Sequence, residues 1–160
     1  MGRTKILSEG LVVGLAGAAC VALWFFLYDV AAGTPLRTPA LLGAALFHGL
    51  RDPGALVITP SLVLQYTLFH GLVFVIFGWM AAGLFALTDG DRHVLFGVFM
   101  LFCCFEVAAL AALQVLASWL LHTMEPWSIL GANLVAAVVM LGLLFRHHQR
   151  SLREVMTSAE

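Results

Sequence analysis

From residue 53 to residue 88 the chain carries no charged side chain, and a run of that length constrains the fold more than any other feature. A helix needs roughly 20 apolar residues to cross the hydrocarbon of a bilayer, and this run exceeds that. Its opening Pro53-Gly54 reads as a turn. Thr59-Pro60 then supplies a capping hydroxyl followed by Pro at the first helical position, so a span is expected to start there. A second uncharged run, from Gly10 to Tyr28, lies between Glu9 and Asp29. A third apolar segment follows the turn Asp89-Gly90-Asp91 and is interrupted by Glu106. A fourth runs from Pro126 to Phe145.

The expectation is therefore an all-α integral membrane protein, one domain over residues 1–160, built as a four-helix transmembrane bundle. The spans are placed at about 10–32, 60–88, 91–121 and 126–146, with a tail over 147–160. Between the first two spans, Thr38-Pro39 repeats the cap-then-Pro signature ahead of a short apolar stretch. A helix over about 39–50 is expected there, interfacial or re-entrant because it is too short to cross.

Composition agrees. Only 11% of residues are charged and 62% are hydrophobic, where a soluble domain carries about a quarter charged. The net charge of −1 and the lack of a basic, aromatic-rich patch leave nucleic-acid binding nothing to rest on. Cys20, Cys103 and Cys104 form no metal, haem-attachment or redox motif and read as small buried hydrophobes. Gly17-Ala18-Ala19-Cys20 faintly resembles a lipoprotein cleavage box, but 21–28 stays apolar and aromatic, so an uncleaved helix is expected.

Positive charges give the orientation. Arg3, Lys5, Arg92, Arg146, Arg150 and Arg153 fall on one side of this topology, and Arg37 and Arg51 on the other. The positive-inside rule then puts both termini in the cytoplasm, in a bacterial inner (plasma) membrane. Trp24, Trp119 and Trp127 fall near the opposite interface, while Trp79 lies deeper.

Helices in lipid associate by close packing, which favours small residues. Gly10, Gly14, Ala18 and Ala22 form a ladder every four positions on the first span, and Gly78 with Ala82, Ala108 with Ala112 and Ala132 with Ala136 form shorter ones. Two readings stand: packing inside the bundle, or contact with a second copy or a partner subunit.

Polar residues at depth are where chemistry should be sought. At 1.5 Å per residue, His70 lies about 15 Å below Pro60, Gln114 about 12 Å below His122, and Asn133 about 10 Å below Pro126. Gln65 and Tyr66 sit above His70. Glu106 lies about 24 Å from His122, near the depth of Trp79, where a carboxylate is expected to be protonated or paired. It is a candidate proton or cation relay, against a structural hydrogen bond to Trp79 or a backbone carbonyl. Asp29 could pair with Arg37 or Arg51.

His70 is the candidate for haem b or quinone. Phe47-His48-Gly49-Leu50 repeats as Phe69-His70-Gly71-Leu72, which raises His48 as a second axial ligand. The alternative is a hydrogen-bonded core histidine. No nucleophile–base pair is visible, so catalysis ranks last. Three classes of function follow: a non-catalytic accessory or assembly subunit packing with other membrane subunits or as a homo-oligomer, a redox anchor at His70, and a small oligomeric transporter or channel using Glu106.

Overall fold

The computed structural model describes residues 3–87, 97, 100, 107 and 126–157. The expected third span over 91–121, with Glu106 and Gln114, otherwise lies outside the described residues. The described residues are mostly helical and contain no strand. They form α1 (Arg3–Ala31), α2 (Arg37–His48), a short 3-10 turn (Pro53–Ala55), α3 (Pro60–Leu87) and α4 (Pro126–Thr157). Three segments are long and apolar enough to cross a membrane: Thr4–Ala31, Pro60–Ala86 and Trp127–Arg146. The helices are those of an integral membrane protein.

The start of α3 follows its local chemistry. Pro60 opens the helix, and the Thr59 hydroxyl accepts from the Leu62 N–H at 3.4 Å. The boundary of α1 differs from the expectation. The helix begins seven residues before Gly10, and Glu9 is buried rather than marking an edge (8% exposed). Glu9, Val13 and Gly17 recur every four residues on one buried stripe, which explains why the acid turns inward.

α1 is the central element. On one side it packs along α3 at close backbone approach. Gly10 faces Trp79, Gly14 faces Phe74 and Val75, and Gly78 of α3 fits against the Gly10 carbonyl and Gly14. A Cβ added at Gly14 would sit 2.5 Å from the Phe74 carbonyl oxygen and 2.6 Å from Val75 Cα. Ala18 is also buried, but Ala22 is exposed. The ladder of small residues is thus occupied within the chain over three rungs, and its fourth lies outside the contact.

α4 covers another face of α1. Ala132, Ala136, Met140 and Leu144, spaced every four residues, are all at most 4% exposed. Met140 packs over Gly17, and the Trp24 ring lies against Gly131. α3 and α4 touch each other little; Phe85 and Phe145 meet edge-to-face at 5.5 Å.

These contacts give directions. Low α1 numbers meet high numbers on both α3 and α4, so α1 is antiparallel to each and α3 runs the same way as α4. Leu87 and Pro126 therefore lie at opposite ends of the molecule, and the start of α1 shares an end with the last turns of α4. The other faces of α3 and α4 are apolar and open, with Leu64, Leu68 and Leu72 at 57–65% exposed and Leu134 and Val138 at 58% and 64%.

Two substitutions separate the packed rungs from the free one. Gly14→Leu is expected to destabilise the protein in detergent by about 1–3 kcal/mol through overpacking against α3. Ala22→Leu should change it by less than about 0.5 kcal/mol. Equal thermal shifts for the two variants would show that the seam is not a tight contact.

Candidate functional site

The polar side chains gather toward the end of the molecule that carries α2. Asp29, in the last turn of α1, is buried at 3% exposure. Its Oδ2 accepts from the Thr38 backbone N–H and its Oδ1 from the Thr38 hydroxyl, both at 2.7 Å. A carboxylate at the first turn of a helix satisfies free N–H groups and meets the positive end of the helix dipole. This corrects two expectations. Asp29 is held by Thr38 rather than by Arg37 or Arg51. Thr38 is a second-position donor inside α2 rather than its cap, so α2 starts at Arg37, after Leu36 in the left-handed region (φ 64°).

The far end of α2 is tied to α3. Gly43 packs on the Leu62 carbonyl, His48 Nε2 lies 3.1 Å from Gln65 Oε1, and Phe47 meets Phe69 edge-to-face at 5.9 Å. Gly49 then reverses the chain at φ 64°. A Cβ there would meet nothing within 4 Å, so the glycine is required by its conformation rather than by space.

His70 belongs to a different face. Its ring stacks on Tyr66 (5.7 Å, 24°), packs on Phe74 (4.6 Å) and lies against the Ala18 backbone. Nε2 is buried and has no hydrogen-bond partner. Gln65 and His70 are five residues apart, about 140° around the helix. His48, bonded to Gln65, is therefore turned away from His70, and the repeated tetrapeptide does not bring two imidazoles onto one ligand. Asn133, half-buried on α4, sits two residues past the Gly131–Trp24 contact, about one turn from the level of Ala18 and His70. It shares their zone but lies on a helix that barely meets α3. Glu106 and Gln114 are outside the described residues.

Two tryptophans tie the long helices together. Trp24 Nε1 donates to the Ser128 hydroxyl at 3.1 Å, joining α1 to α4. Trp79 Nε1 donates to the Leu7 carbonyl at 3.0 Å, joining α3 to α1. An indole has one N–H, so Trp79 is already engaged and does not serve as the donor envisaged for Glu106. Glu9 and the Asp29–Thr38 clip were missed as interior groups in the sequence reading. The four-residue spacing of Glu9 to Val13 and Gly17 was the available signal for the first. Among the described residues no group of three or more His, Cys, Asp or Glu is placed to hold a metal.

No protein-family model, curated protein or solved structure matches this chain. The arrangement itself is what defines its class: apolar helices held by a glycine seam, with polar groups at helix-to-helix ties.

Removing the clip tests its role. Hydrogen bonds to a charged group contribute about 1.5–3 kcal/mol each way they are broken, so Asp29→Ala should loosen α2. Trypsin should then cut after Arg37 and Arg51 faster than in the parent protein, while Asp29→Asn, which keeps an acceptor, falls between. Identical cleavage rates would show that α2 is held without the carboxylate.

Proposed function

We propose that the chain is a small non-catalytic membrane protein that acts as an accessory or assembly subunit, in a larger membrane complex or as a homo-oligomer. One observation carries this reading. Four polar ties in and beside the spans join helix to helix: Trp24 to Ser128, Trp79 to Leu7, Asp29 to Thr38 and His48 to Gln65. Such groups shape a scaffold. With Gly10, Gly14 and Ala18 already packed inside the chain, partner contact falls to the open stripe Leu130, Leu134 and Val138 of α4 or Leu64, Leu68 and Leu72 of α3.

The topology proposed has four crossings with both ends in the cytoplasm of a bacterial inner membrane. The parallel course of α3 and α4 supports an even number, because the chain has to return across the molecule between Leu87 and Pro126. The charge bias supports the orientation.

The buried, partnerless Nε2 of His70 favours one second reading, a haem b or quinone site there. The transporter reading rests on Glu106 and gains no support from the described residues.

Detergent-purified protein discriminates these by mass and absorption. The accessory reading expects a discrete complex, with stoichiometric partners or a fixed copy number, and no Soret band. A monodisperse monomer from native membranes would overturn it. A Soret band lost in His70→Phe would establish the haem reading in its place. For topology, an impermeant thiol reagent on intact cells should label Thr34→Cys and spare Thr157→Cys; the reverse pattern would invert the orientation.

A further inference from the structure

The α1–α3 seam provides a ruler for depth. Gly10 opposite Trp79, Gly14 opposite Phe74–Val75 and Ala18 opposite His70 fix a register that brings Trp24 level with Leu64 and Gln65. The two tryptophans that bridge helices mark two levels on α1, Leu7 and Trp24. Seventeen residues separate them, about 26 Å along the axis. That distance is close to the roughly 30 Å of a bilayer's hydrocarbon. Indoles prefer its two edges, so Trp24 and Trp79, the latter placed deeper by the sequence alone, are taken as the two edges of the hydrocarbon slab.

α2 falls just outside that slab. Its first turn is clipped to Asp29, five residues or about 7 Å beyond Trp24. Its last turn reaches the slab's edge, where His48 meets Gln65 and Phe47 meets Phe69. From Thr38 to Leu50 it carries no Asp, Glu, Lys or Arg. In its last turn Leu46 and Phe47 are 41% and 46% exposed, and the returning segment adds Val57 at 70% and Ile58 at 43%. Leu64, Leu68 and Phe69 of α3 are open as well, and Phe69 meets Phe47.

We infer that α2 and its return segment are a lipid-binding element, sunk in the headgroup layer with Phe47 at the edge of the acyl chains. The partner is the bilayer surface. Exposed apolar groups at this height would be a liability in water, and the headgroup–acyl boundary is where a short helix with one apolar face resides. Deeper entry is opposed by Arg51 and Asp52, which follow directly and are both exposed. Arg51 can extend toward phosphates, and Asp52 caps the Gly54 N–H at 2.8 Å.

The test is depth-dependent fluorescence quenching of the full chain in phosphatidylcholine vesicles, with Cys20, Cys103 and Cys104 replaced and an environment-sensitive dye on Phe47→Cys. Leu46→Cys reads the same turn without removing the Phe47–Phe69 contact, and Thr34→Cys reports the loop beyond α2. At 46 and 47, a nitroxide near the top of the lipid chain should quench more than one near its end, and an aqueous quencher should act weakly. At 34 the aqueous quencher should dominate. Free aqueous quenching at both 46 and 47 would place α2 in water, and stronger quenching by the deep nitroxide would make it re-entrant. Either result overturns the inference.

Discussion

Everything else in this fold depends on the approach of two backbones at Gly10, Gly14 and Gly78. In lipid, an apolar side chain has no water to escape, so association must come from contact itself. The three glycines remove the Cβ atoms that would hold α1 and α3 apart. With that distance set, Trp79 can reach the Leu7 carbonyl and His70 can lie against Ala18. Inter-helix hydrogen bonds in membranes average about 0.6 kcal/mol in double-mutant cycles. A bond of that size selects an orientation. The continuous seam holds the helices.

How far this was legible follows from what each signal is made of. The start of α3 was readable because Thr59 and Pro60 act on their own backbone neighbours. The membrane-compatible lengths were readable because hydrocarbon excludes charge without regard to partners. Spacing alone puts Ala22 on one row with Gly10, Gly14 and Ala18, yet it is exposed where they are buried. Asp29 and Thr38 are the instructive failure. Nine residues apart across a turn, they were read as a helix end and a cap, and only the path of the chain makes one the acceptor for the other. The pairing of His48 with His70 failed for the opposite reason. Identity of a tetrapeptide says nothing about azimuth, and Gln65 draws His48 to another side of α3.

Polar groups near helix ends obey two different logics here. Asp29 sits where α1 ends and α2 begins, so a negative charge opposes the dipole of the first helix and suits that of the second. Its two bonds to Thr38 make the α2 contact the compensating one, which is why the connection folds back instead of extending outward. Among the described residues no second helix starts beside Glu9. It is carried inward because Val13 and Gly17 share its stripe and must face α4 and α3.

The histidine at the centre of the polar zone follows from the same geometry. His70 lies on the face of α3 that the seam turns toward α1, where its ring meets the Ala18 backbone. Tyr66 and Phe74, one turn to each side, continue that face and cover the ring from above and below. An imidazole stacked in this way keeps dispersion contacts with both neighbours. An unpartnered nitrogen is tolerable there as long as the ring is needed for shape. Its position in an aromatic column beside the Ala18 backbone is thus a consequence of packing.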